Sequence, residues 1–106
     1  MNTMPGSSPA DLVVTFRSLP RRLREAQSDA PPSTTATATS ELRRKLDQAA
    51  HLLGSAATPE AIADSIAAVH ARDWDDSKLT ALRAIALEIG GLLRSIESAA
   101  AEWSRR

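Results

Sequence analysis

The sequence of 106 residues contains no cysteine, only one phenylalanine and two tryptophans as aromatic residues, and no formal net charge. Without cysteine there are no disulfides, thiolate nucleophiles or cysteine-ligated zinc sites, and no indication of redox compartment. A charge balance of zero gives no electrostatic reason to expect nucleic acid or an anionic membrane as a partner.

Long apolar runs are missing as well. No stretch approaches the roughly 20 apolar residues that are needed to span a bilayer, and no apolar run follows a basic start near the first methionine. We therefore expect no membrane helix and no conventional signal peptide. The expected location is cytoplasmic, with secretion by another route left open.

Alanine provides much of the 42% hydrophobic content. It favours helix and buries little area, so the helices are expected to approach each other closely. Apolar residues recur at helical spacing, and no strand-like alternation stands out. The sequence predicts an all-α fold, a small helical bundle of three to four helices with a long C-terminal helix.

The domain boundaries follow from composition. Residues 1–7 are predicted to be a disordered N-terminal tail, and residues 8–106 a single helical domain. An amphipathic helix is expected over about residues 9–27, either kinked or divided at Pro20. Residues 28–40, with two prolines and a Ser/Thr/Ala run, are predicted to be a flexible linker inside the domain.

Three further helices are predicted from their stop and start residues. The first covers about residues 40–53 and ends at Gly54. The second restarts at Thr58-Pro59-Glu60, a cap followed by a first-position proline and an early acid, and continues to about Arg72. Asp75 is expected to cap the last helix, which continues to about Trp103.

The last helix carries an apolar stripe with heptad-like spacing. It is about 42 Å long, whereas each of the two helices before it is about 21 Å long, so they would cover only half of it. Three arrangements would shield the other half of the stripe. The first helix packs on it, a second copy of the chain packs on it, or the helix bends at Gly90-Gly91. We favour a straight or gently bent helix used in self-association, with these anchor residues: Leu82, Ile85, Ile89, Leu92, Ile96 and Trp103.

One stretch, QAAHLLGSAA at residues 48–57, resembles the His-x-Leu-Lys-Gly-Ser-Ala signature of histidine phosphotransfer domains, which are four-helix bundles. The resemblance implies that His51 is an exposed phospho-acceptor. The match lacks the lysine of that signature, position 54 is already glycine, and Asp47 would repel a phosphate. A solvated surface histidine is the simpler interpretation.

Arg17, Arg21 and Arg24 share one face of the first helix, and such a face could bind phosphate or another anion. Nearby glutamates, the absence of interleaved aromatic residues and the neutral chain favour an ordinary solvated face instead. Nucleic acid is therefore a weak alternative.

A small cluster of titratable residues precedes and begins the last helix. It consists of His70, Asp73, Asp75 and Asp76. Their spacing matches no calcium loop or zinc site, and the helix dipole alone favours acids there. We expect no metal and no cofactor. Because no nucleophile has an oriented base, the protein is not expected to be an enzyme.

Taken together, these features predict a non-catalytic helical interaction module that acts through its long C-terminal helix. The expected partner is a second copy, forming a homodimer, or another helical protein.

Overall fold

The computed structural model describes residues 9–69 and 75–105. Within these ranges the chain forms four helices and no strand. They are α1 (Pro9–Ser28), α2 (Pro32–Leu53), α3 (Pro59–Ala68) and α4 (Asp76–Ser104). The predicted all-α bundle with a long C-terminal helix is confirmed, whereas the predicted N-terminal tail lies outside the described residues.

Helix α1 is one continuous helix that includes Pro20. The apolar stripe read from the sequence is buried along most of its length, with Leu12, Phe16 and Leu19 at most 1% exposed. A proline inside a helix removes one backbone hydrogen bond. Here burial of the flanking stripe maintains the helix on both sides of it.

The predicted flexible linker at residues 28–40 needs correction, because most of it is the first part of α2. Pro31 is the extended N-cap residue (φ −65°, ψ 150°), and a second proline occupies the first helical turn. The backbone amide of Thr34 donates to the Pro31 carbonyl at 3.0 Å. Thr35 is only 3% exposed. Only residues 29–31 connect α1 with α2.

The physical reason for this difference is that Ser and Thr oppose a helix only weakly. Their helix propensities lie within about 0.7 kcal/mol of alanine, and tertiary packing overrides a preference of that size. Pro31 is the extended N-cap residue, and Pro32 occupies the first helical position, where a missing amide costs little. They therefore start α2 instead of breaking the chain.

The predicted helix ends are confirmed at three places. Gly54 ends α2 with φ 67°, a left-handed conformation that favours glycine. The Thr58 hydroxyl accepts a hydrogen bond from the Ala61 amide at 3.2 Å at the start of α3. The Asp75 carboxylate accepts from the Ser77 amide at 3.1 Å at the start of α4.

Helix α4 continues through Gly90 and Gly91 without interruption. A Cβ atom added at Gly91 would have no neighbour within 4 Å, and one at Gly90 would meet only the Arg94 side chain at 3.7 Å. The glycine pair therefore neither divides the helix nor allows another backbone to approach closely.

The four helices form a ring in which α3 and α4 each pack against both α1 and α2. Helices α1 and α2 make little direct contact with each other. The Arg22 side chain meets Glu97, and the Ser104 hydroxyl lies 3.5 Å from the Asp29 carbonyl oxygen, so α1 and α4 run parallel. The short connection after α1 makes α2 antiparallel to both.

Candidate interaction groove

The stripe on α4 that the sequence analysis assigned to an intermolecular interface lies mostly in the core of the chain itself. Leu82, Ile89 and Ile96 are 0% exposed, and Ile85 is 7% exposed. Of the six predicted anchors, Leu92 is half-buried and Trp103 is 44% exposed. Four of the six anchors are therefore inaccessible to a partner in this fold.

The cause is the true length of α2 together with the position of α1. With 22 residues instead of 14, α2 is about 33 Å long. Helix α1 covers another part of α4. There Arg22 forms a bidentate ion pair with Glu97, in which Nε donates to Oε2 at 3.1 Å and Nη2 donates to Oε1 at 3.0 Å. Lys45 of α2 contacts Glu88 of α4 at 2.8 Å. The chain thus covers most of its own long helix.

His51 is exposed near the end of α2, as its place on the helical wheel indicates. A shallow depression there is lined by His51, Asp47, Arg44 and Ile85, among others. The Arg44 guanidinium lies 3.4 Å from Glu41 in the same helix, so its charge is already partly balanced. Within residues 9–69 and 75–105, the arginine that lines this depression is therefore not fully available to balance the charge of a phosphoryl group on His51.

The three arginines of the predicted anion-binding face have different surroundings. Arg17 pairs with Asp64 of α3 at 3.1 Å. Arg21 and Arg24 are exposed and make no ion pair with any residue in the described ranges. The pairing of Arg17 reduces the charge that this face offers to a polyanion.

Residues 9–69 and 75–105 contain no group of three or more His, Cys, Asp or Glu side chains placed to hold a metal ion. His70 and Asp73 of the sequence cluster lie outside the described residues. None of the described helices has the length and apolarity that crossing a bilayer requires.

A groove lies between the second half of α1 and the middle of α2, and we call it the α1–α2 groove. Its volume is about 740 Å³. Leu42 and Leu46 form its floor and are almost fully buried. Pro20, Leu23 and Pro59 line it and are partly exposed, so they offer apolar surface to an occupant.

Both ends of the groove are defined by specific contacts. At one end the Gln27 side-chain amide donates to the Thr39 hydroxyl at 3.3 Å and joins α1 to α2. At the other end stands the first turn of α3, with Thr58 and Glu60 in the lining. Between these ends the two helices are separated, and no described helix fills the space.

This groove is not apparent from the amino-acid sequence. Leu23, Leu42 and Leu46 are visible in the sequence as members of two stripes, but nothing local shows that the stripes face each other across a gap. The available signal was the shortness of the helix that starts at Pro59 compared with its neighbours. That signal was obscured by the prediction that this helix continues to about residue 72.

Comparison with known proteins finds no family model, no curated protein and no solved structure that matches this chain.

Proposed function

We propose that the protein is a non-catalytic interaction module that binds a helical segment of a partner protein in the α1–α2 groove. The observation that carries this proposal is the difference in length between α3 and the two helices on which it packs. Helix α3 has ten residues, about 15 Å, whereas α1 and α2 are about 30 Å and 33 Å long.

The geometry of the hairpin supports a helix as the occupant. Helices α1 and α2 are held apart by α4 on one side and by α3 on the other. The gap between α1 and α2 continues past the N-terminus of α3. Leu23 lines one wall of this gap, and Pro59 lies at its end. An amphipathic helix that places its apolar face in such a gap is a common mode of peptide recognition.

The expected binding is modest, because the floor residues Leu42 and Leu46 are already buried. An occupant gains contact mainly with the exposed parts of Pro20, Leu23 and Pro59. A small apolar contact area favours a transient partner with a Kd in about the micromolar range over an obligate one.

Self-association through α4 is the second candidate, in line with the expectation from the sequence. The observation in its favour is that Leu87 is 75% exposed and Trp103 is 44% exposed on this helix. In light scattering of the purified protein, a dimer that Leu87→Glu converts to a monomer would support it. A monomer at every concentration would exclude it.

The groove is tested with two synthetic amphipathic helices, an acidic one (SELEELLEALEA) and a basic one (SKLKKLLKALKA), by calorimetry and amide chemical shifts. We expect at least one of them to bind, with shifts at residues that line the groove. Leu23→Glu, and independently Ser28→Trp at the groove wall, should weaken binding about tenfold or more. Leu87→Glu, the matched leucine outside the groove, should leave binding unchanged.

Circular dichroism of each variant checks that the helices remain folded. Ser28 is exposed, so Ser28→Trp tests the groove even where Leu23→Glu destabilises the fold. If neither peptide binds, or if both groove variants bind as tightly as the wild type, the proposed function is wrong.

A further inference from the structure

We infer that the helical segment recognised by the α1–α2 groove is acidic, with carboxylates placed to meet Arg24 on one wall and Arg43 on the other. This inference rests on the proposed function and adds the chemistry of the partner. Both arginines line the groove, one from α1 and one from α2, and both are exposed.

These two arginines differ from the cations that hold the helices together by ion pairs. Arg17, Arg22 and Lys45 each form an ion pair with a carboxylate on another helix. Arg24 and Arg43 make no ion pair and no side-chain hydrogen bond within residues 9–69 and 75–105. The groove therefore has a guanidinium on each wall that is available to an occupant.

One acid also lines the groove. Glu60 stands in the first turn of α3, at the end of the groove opposite the Gln27–Thr39 hydrogen bond. Two arginines against one glutamate leave the groove with an excess of one positive charge. Complementarity of charge thus favours an occupant with carboxylates, held away from the α3 end.

A guanidinium also suits carboxylates for geometric reasons, because its planar donors can make two parallel hydrogen bonds to one carboxylate. Nucleic acid fits the groove less well. A nucleic-acid backbone requires a row of cations, whereas Arg17 is paired with Asp64 and the groove lining contains only two arginines. Leucine and proline side chains in the lining instead match the apolar face of a peptide helix.

The test compares three peptides that share their apolar residues and carry glutamate, glutamine or lysine at the polar positions: SELEELLEALEA, SQLQQLLQALQA and SKLKKLLKALKA. We expect the acidic peptide to bind the wild type about tenfold more tightly than the glutamine peptide, and the lysine peptide to bind most weakly. Increasing NaCl from about 50 to about 500 mM should weaken the acidic peptide and leave the glutamine peptide nearly unchanged.

The matched variants reverse the charges at two positions. In Arg24→Glu with Arg43→Glu the preference should change to the lysine peptide. In Arg94→Glu with Arg105→Glu, which changes the net charge equally but lies outside the groove, the preference for the acidic peptide should remain. Because all four arginines are exposed, both double variants are expected to fold.

The outcomes separate this inference from the proposed function. If the three peptides bind equally and Leu23→Glu weakens all of them, the acidic preference is wrong and the proposed function stands. Failure of all three peptides overturns both. A single-stranded DNA oligonucleotide that displaces the acidic peptide, with a steep dependence on salt, would identify the groove as a nucleic-acid site and overturn the inference.

Discussion

Gly90 and Gly91 lie in the middle of the longest helix, where glycine loses more conformational entropy than alanine does. Neither has a positive φ, since Gly54 is the only glycine with one in the described part of the chain. Neither position is filled by a neighbouring backbone. The fold of the single chain gives no reason for glycine at these two positions.

Gly91→Ala is therefore expected to increase the free energy of unfolding by about 1 kcal/mol, with a similar or slightly smaller gain for Gly90→Ala beside Arg94. Urea denaturation followed by circular dichroism measures both effects. Gly54→Ala is the control and should destabilise the protein, because alanine disfavours the left-handed conformation of that residue. Destabilisation by Gly91→Ala would contradict this account.

At the same scale, the exposure of His51 and of the arginine side chains follows from helical periodicity alone. The ion pair of Arg17 with Asp64 does not, because 47 positions separate the two residues in the sequence. Partners of that separation depend on how α3 packs against α1. The sequence therefore indicates which side chains are exposed but not which of them remain available for a ligand.

At the scale of the element, local chemistry explains why some boundaries were predicted and one was not. The cap at Thr58, the cap at Asp75 and the left-handed Gly54 each depend on residues within one turn, so each could be read directly. The start of α2 could not be read, because residues 32–40 have no apolar stripe. The burial of Thr35, which helps to hold that segment, requires knowledge of the packing.

The helical state of residues 32–40 can be tested with Ala36→Pro. Ala36 is exposed, so the substitution changes the backbone and removes no core contact. In a helix it should decrease the free energy of unfolding by about 3 kcal/mol. Ala36→Ser is the control and should cost less than about 1 kcal/mol. If the proline variant were as stable as the wild type, this segment would be the flexible linker that its composition suggests.

At the scale of the whole molecule, the buried stripe of α4 belongs to a core within one chain. The sequence predicted the stripe and its spacing but favoured a second copy of the chain as its cover, whereas α1 and α2 cover most of it. That choice depended on the length of α2, which was underestimated. The α1–α2 groove depends on the same tertiary arrangement and could not be predicted from local patterns.

An intramolecular core predicts the result of Ile96→Ala. The substitution should cost about 2–5 kcal/mol, because Ile96 is fully buried. The loss should be the same at two protein concentrations about a hundredfold apart, since the chain itself buries Ile96 completely. Leu87→Ala, at an exposed position of the same helix, should change stability by less than about 0.5 kcal/mol. A loss that depends on concentration would indicate that a dimer forms the core.

Helix α3 has consequences for dynamics as well as for the groove. Isolated helices shorter than about 12–15 residues are marginal in water, so the ten residues of α3 depend on the burial of Ile62, Ala63 and Ile66 against their neighbours. Its amide protons are expected to exchange with solvent before those of α1, α2 and α4. Because Thr58 and Pro59 close one end of the α1–α2 groove, an occupant would restrain the start of α3 and slow this exchange. The shortest helix would then report on binding, including the binding of a partner whose sequence is still unknown.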